Sequence, residues 1–338
     1  IRIMEKQFVS HRPPLYVEWW YFHFAASNGS AINLVLHETD IFGLQDRPYL
    51  SLSILLPGRS PRYFRCELDR IMVSGGRSLL DGKLGLISDE DDRIIIDVRP
   101  SDECHFSAEM IKLAGPIAIE NGYIYRNEAT GQASHWVIRV PHAVFTATLR
   151  LGDELIRLEG TAYHDHQWGD FLIQDYVSDW VWGHFSNEQI AFTFFQILAQ
   201  NGKFISRLAL VSEEGRFTGT VLNTNYLDTL ISIQSPHNFA DFLSIGFLFN
   251  QVDVRFKVSP SQLMRSRLNE QHHRVQASYL RWATQASLDG ACGPHGLYGI
   301  SEYIRIRPTA YGSHYQSKHY QHHFRHSDSS HLAHRSAL

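Results

Sequence analysis

Cysteine is scarce and scattered in this chain: Cys66, Cys104 and Cys292 stand far apart, with no CxxC pair. An odd number at such spacing argues against a disulfide framework or a thiolate zinc site. It points instead to a reducing compartment, the cytoplasm. No apolar run approaches the ~18 residues of a membrane span. The N-terminal IRIMEKQFVSHRPP has no apolar leader core, which is also compatible with a leader already removed. Positive charge is not in excess, since 31 Lys and Arg face 35 Asp and Glu for a formal charge of -4. The basic footprint of a nucleic-acid binder is therefore missing. GxSxG, a P-loop, HExxH and a GxGxxG between strand and helix are all absent. With those templates missing, no metal and no cofactor is expected.

What is present is a mostly β pattern. The chain has 338 residues, 43% of them hydrophobic, enough for two domains with real cores. Period-two alternation predicts strands over Ala31–His37, Leu50–Leu56, Arg93–Val98, His135–Val140, Val144–Leu151 and Ile190–Leu198. Asn28-Gly29 predicts a hairpin turn between Trp19–Ala25 and Ala31–His37. Helical spacing is weak and confined to Tyr226–Ile233, Asn238–Phe247 and Ser259–Arg267. Many short strands at regular turn spacing predict an all-β protein of barrels or sandwiches. The strand rhythm restarts at Val181, so a boundary is expected near residues 172–178. The His- and Ser-rich stretch from 311 to 338 has no period and is expected to be a mobile tail.

Four constellations could carry chemistry. In Glu18–Phe24, Glu18, Trp20 and Phe22 share one strand face, while Trp19, Tyr21 and His23 share the other. In Tyr163-His164-Asp165-His166-Gln167-Trp168, the residues His164, His166 and Trp168 point one way; Tyr163 and Asp165 point opposite. Two histidines at i and i+2 lack a third metal ligand, so acid–base or hydrogen-bonding work suits them better. Asp175 precedes Trp180, Trp182 and His184, which alternate onto one face; indole faces can stabilise developing cations. Tyr279 and Arg281 share a face, and Glu302 could pair with Arg281 across neighbouring strands. Each constellation also has a structural reading: aromatic core, a polar network stapling two domains, or a plain ion pair.

In order and spacing these motifs resemble the lipocalin-like hydroxyneurosporene synthase (carotenoid 1,2-hydratase) superfamily. The resemblance rests on Glu18-Trp19-Trp20-Tyr21-Phe22, Tyr163-His164-Asp165-His166-Gln167-Trp168-Gly169, Trp180-Val181-Trp182-Gly183 and Gly299-Ile300-Ser301-Glu302-Tyr303, which together span about residues 16–306. It implies two lipocalin-like β-barrel domains packed side by side, here 1–175 and 176–310, with ligand space in and between them. It also implies a greasy polyene or isoprenoid substrate and no redox cofactor. Hydratases and pericyclases both occur among such proteins, so fold transfers better than reaction. Many relatives continue the W-x-W-G strand with arginine, where this chain has His184. The next strand carries no carboxylate, so a proton would have to come from Asp165, Asp175, Glu18 or Glu302.

The expected function is a cofactor-independent cyclase of a hydrophobic polyene or terpenoid intermediate. Asp165, His164, His166, Glu302 and Glu18 are the candidate acid–base groups. Trp20, Tyr21, Tyr163, Trp168, Asp175, Trp180, Trp182, His184, Tyr279 and Arg281 are the candidate cavity wall. The alternatives are a hydratase acting on an isoprenoid C=C bond and a non-catalytic lipophilic carrier.

Overall fold

The alternation is realised as antiparallel sheet nearly throughout. The structure, a computed structural model, describes residues 16–39, 47–69, 71–74, 77–79, 84–170, 172–211, 243–249, 252–272, 275–289 and 295–308. Among these, helix is limited to a single turn, α1 (Ile173–Tyr176), and a 3-10 turn at Ile119–Gly122. The fold is all-β and lipocalin-like.

The first sheet is curled and twelve-stranded. Its early strands are β1 (Val17–Ala26), β2 (Ala31–His37), β3 (Tyr49–Leu55) and β4 (Arg62–Glu67). Short strands follow as β5 (Met72–Ser74), β6 (Arg77–Leu79) and β7 (Gly85–Asp89). It is completed by β8 (Arg93–Ser101), β9 (Cys104–Lys112), β10 (Tyr123–Arg126), β11 (Ala133–Leu151) and β12 (Glu154–Gly169). Spatial order is β4-β3-β2-β1-β12-β11-β9-β8-β7-β6-β5, with β10 pairing off β11. The Asn28-Gly29 turn forms as expected. Gly29 takes φ +84°, a conformation costly for any residue with a Cβ, and its N–H donates to Ala26 O at 2.9 Å.

After α1 the chain builds a seven-stranded sheet. Its strands are β13 (Val177–Ser186), β14 (Ala191–Ala199), β15 (Phe204–Val211), β16 (Leu243–Phe249), β17 (Val252–His272), β18 (Val275–Asp289) and β19 (His295–Pro308), in the order β15-β14-β13-β19-β18-β17-β16.

Three expectations are corrected. Ser259–Arg267 is not a helix but the middle of β17, and residues 243–247 of the second expected helix lie in β16. Pairing with β18 overrides the weak helical spacing, and the ladder shifts register between Pro260 and Gln262. A bulge is where a strand tolerates a residue without an N–H. The expected helix at Tyr226–Ile233 and the tail from 311 lie outside the described residues. The two strands expected at His135–Val140 and Val144–Leu151 are one strand, β11, with irregular register between Ile138 and Ala143.

The two faces of β1 divide the core. Trp20, Phe22 and Phe24 join Leu34, Leu52 and Phe106 inside the curl of the first sheet. Trp19 and Tyr21 instead join Trp136, Tyr163, Trp180 and Trp182, where the first sheet meets the second. This seam holds most of the chemistry-bearing residues.

Candidate functional site at the seam between the sheets

Strand register lines up the polar residues of the seam in two transverse rows. In the first sheet Ile138, Asp165, Tyr21, Val35, Ser51 and Arg65 are successive cross-strand partners on β11, β12, β1, β2, β3 and β4. In the second sheet the row is Phe195, Trp182, Glu302, Arg281 and Arg265 on β14, β13, β19, β18 and β17. Tyr21 joins the rows, its hydroxyl donating to Glu302 Oε1 at 2.9 Å.

Asp165 is the acid of this seam. It is 1% exposed. Its Oδ2 accepts from Trp136 Nε1–H at 2.9 Å and from the Tyr163 hydroxyl at 2.8 Å. Its Oδ1 has no hydrogen-bond partner among the described residues. Burial pushes the carboxyl up to about 7, against the pull of Trp136, Tyr163 and the nearby Gln167 amide; the charge of Glu302 adds to the rise. A carboxyl so placed is close to half-protonated at neutral pH, which suits general-acid work.

Glu302 is a different kind of carboxylate. Arg281 Nε donates to its Oε1 at 2.6 Å, and both side chains are buried. Burial alone would lower the Arg281 guanidinium, but Glu302 holds it above its ordinary value. The pair is cross-strand, as the sequence predicted. Asn33 Nδ2 donates to the Tyr21 hydroxyl, and Arg281 reaches Ser53 Oγ at 3.5 Å. Glu302, Arg281, Tyr21 and Asn33 therefore form one fixed polar network across the sheets.

Around Asp165 several buried polar atoms are left over. Tyr163, its donor, stacks on His184 at 4.3 Å and lies 5.6 Å from Trp182. His184 Nδ1 pairs with Thr193 Oγ1 at 2.9 Å, while its Nε2 has no partner. Trp182 Nε1 and Gln167 Oε1 have none either. Each such atom costs about 1–3 kcal/mol if it stays unpaired. Native proteins keep few of them, and a group of them calls for an explanation. Burial lowers the His184 imidazole well below its usual range, with His23 and His142 adding to the effect, and lowers His23 to about 3. Both rings are therefore neutral at pH 7.

The seam gathers Tyr21, Tyr163, Asp165, Trp180, Trp182, His184, Tyr279, Arg281 and Glu302. It does not gather Glu18, Trp20, His164, His166 and Trp168, which β-alternation sends to the inner face of the first sheet. There His166 Nε2 lies 2.8 Å from Glu18 Oε1, and its ring stacks on Trp20 at 4.8 Å. His164 Nδ1–H donates to Tyr21 O at 3.0 Å, its ring stacks on Phe22 at 4.0 Å, and burial lowers it to about 3. Trp168 stacks on His135 at 4.9 Å. Asp165 is thus parted from the two histidines that flank it in sequence. Asp175 is exposed in the connection between the sheets, where its Oδ2 accepts from Leu172 N at 3.3 Å. The indoles expected to wall an open cavity are close-packed: Trp182 meets Tyr21 edge-on at 5.1 Å, and Trp136 meets Phe195 at 4.7 Å.

Sequence reasoning missed Trp136, Asn33, Arg65 and Arg265. Trp136 lies 29 positions from the carboxyl it binds, and only strand register could have revealed it. Arg265 was hidden by the helical reading of its segment.

Fold and site together define an all-β lipocalin-like protein with a buried acid where two sheets meet. No protein-family model matches the chain. Among solved structures, an AttH-type protein from Nitrosomonas europaea superimposes with TM-score 0.61 at 14% identity, covering 85% of this chain and 92% of that one. CghA also gives TM-score 0.61, at 10% identity over 88% of this chain and 90% of its own. Kievitone hydratase from Nectria haematococca gives 0.53, at 13% identity over 86% and 88%. At such identities the likeness shows the fold alone. A short stretch of 63 residues is 25% identical to the quinolone epoxide rearrangement protein asqO of Emericella nidulans, covering 19% of this chain and 17% of that protein. CghA has also been solved with Sch210972.

Proposed function

We propose that the chain is a cofactor-independent cyclase of a hydrophobic polyene or terpenoid intermediate, with Asp165 as the proton donor. One observation carries this reading: Asp165 is buried, with one oxygen fixed by two donors and the other without a partner at hydrogen-bond distance, and burial lifts its pKa toward neutrality. The two lipocalin-like units, 1–175 and 176–310, supply one wall each. The unpaired atoms are sealed from solvent, so a substrate enters by parting the side chains along the seam.

In this mechanism Oδ1–H of Asp165 protonates, or hydrogen-bonds, a polar or unsaturated atom of the substrate. Trp136 and Tyr163 stabilise the carboxylate that results, since hydrogen bonds to the charged form favour it. Positive charge developing on the hydrocarbon meets the faces of Trp182 and Tyr163. His184, neutral and with a free Nε2, takes up the proton lost at the end. Glu302, held by Arg281 and Tyr21, is an acceptor and a fixed negative charge, not a donor. Holding a flexible chain folded supplies the proximity that cyclisation requires.

The resemblances to CghA, kievitone hydratase and asqO support natural-product chemistry on a small molecule, and hydration is the second reading. A donor like Asp165 serves either reaction, and product mass separates them. A lipophilic compound extracted from the purified protein, re-added and followed by mass spectrometry, should give a product of unchanged mass and altered retention. A gain of one water identifies a hydratase. Full recovery of the starting compound identifies a carrier and removes the enzyme reading.

A further inference from the structure

We infer that the outer end of the seam is an oxyanion subsite, in which Arg65 and Arg265 bind an acidic headgroup of the substrate. The inference rests on the substrate reading above and narrows it from any greasy polyene to one that carries a carboxylate or a diphosphate.

Arg65 and Arg265 occupy the outer ends of the two transverse rows, opposite the Asp165 end. Each guanidinium lies over an aromatic face: Arg65 is 3.9 Å from the Tyr49 ring centroid, and Arg265 is 4.0 Å from that of Tyr63 and 5.7 Å from that of Tyr279. Neither arginine has a carboxylate partner among the described residues. Arg281 continues the line inward, 5.3 Å from the same Tyr279 ring, and it alone of the three is neutralised, by Glu302. Exposure falls along this path, from exposed Arg65 and Tyr63 through half-buried Arg265 to Arg281 at 5%.

His37 registers the resulting field. It stacks on Tyr49 at 4.3 Å, and its Nδ1 has no partner. Burial lowers its pKa most, and Arg265, Arg281 and Arg65 lower it further. Three guanidiniums thus act on one point, and among the described residues only Arg281 is ion-paired, with Glu302. Aromatic faces keep such cations in place and partly dehydrated without neutralising them. A planar fork of N–H donors suits carboxylate and phosphate oxygens alike.

Register also sets a length. Four strand steps separate Asp165 from Arg65, so at about 4.8 Å per step the path along the curled sheet from the acid to the headgroup site is roughly 19 Å. A headgroup held at the outer end would run its hydrocarbon past Tyr279, Tyr21 and Trp182 toward the Asp165 carboxyl.

Quenching of tryptophan fluorescence in the full chain tests this with two matched pairs, retinoate against retinol and geranylgeranyl diphosphate against geranylgeraniol. At least one acidic member should bind about tenfold or more tightly than its alcohol. That preference should collapse in Arg265→Gln and in Arg65→Gln, and persist in Arg59→Gln, whose exposed guanidinium is bound to Glu154. Preference for retinoate alone identifies a carboxylate substrate, and preference for the diphosphate alone identifies an isoprenoid diphosphate. Acid and alcohol binding equally would overturn the subsite while sparing the hydrophobic-substrate reading. So would a preference that survives both substitutions. Failure of all four probes to bind would remove the subsite and the substrate reading together.

Discussion

The Tyr21 hydroxyl donates to Glu302 across the two sheets at 2.9 Å, linking residues 281 positions apart. The same hydroxyl accepts from Asn33 Nδ2. Tyr21→Phe would leave Glu302 with Arg281 but strip Asn33 of its acceptor inside a buried site. The expected cost is about 1–2 kcal/mol in urea unfolding. A change below about 0.5 kcal/mol, the range of neutral surface substitutions, would show that the link carries no stability.

The Arg281–Glu302 pair should behave as a buried ion pair. Removing one partner strands the other charge, so Glu302→Gln or Arg281→Met should each cost about 3–5 kcal/mol. Replacing both by apolar residues should cost far less than the two losses together. Additive losses would mean that the two charges act independently.

Asp165 gives stability an unusual pH slope. Its pKa rises from an ordinary 3.8 when unfolded to about 7 when folded, so between these values the unfolded chain has released a proton that the native state keeps. Stability from this group is full below pH 4 and is lost as pH rises through 7. Asp165→Asn retains an acceptor for Trp136 and Tyr163 but removes the titration. Its stability relative to the parent should therefore improve between pH 4 and 8, by on the order of 4 kcal/mol for a three-unit shift. Urea midpoints compared across that range check it, and a constant difference would refute it.

Five histidines, four of them buried and His37 half-buried, pull the other way. His23, His37, His142, His164 and His184 are all lowered chiefly by burial, His23 and His164 to about 3. Below pH 6.5 the unfolded chain binds protons that these native rings refuse. Stability from them is full above 6.5 and is lost as pH falls toward 3. Five groups outweigh one carboxyl, so the parent's thermal midpoint should rise from pH 4 to about 6.5. A flat profile would mean that these rings are not buried neutral.

What could be read in advance follows from what alternation encodes. Period two placed Asp165 and Tyr163 on one face of β12 and His164 and His166 on the other, and the contacts agree. Alternation does not say which face meets the second sheet, so all five candidates were carried forward together. Register depends on long-range pairing, which is why Trp136 and the Asp165–Tyr21–Arg65 row were invisible. Pro141 and Pro260 both lie at register shifts inside strands, where a residue without an N–H is tolerated. The Arg281–Glu302 pair was legible because both residues sat in strong strand patterns near each other in the chain.

Carbon-detected NMR titration of the Asp165 side-chain carboxyl tests the central claim most directly. An apparent pKa near 7, moved by Tyr163→Phe, is the predicted result. Titration near 4, with no response to Tyr163, would contradict the assignment of Asp165 as a poised acid.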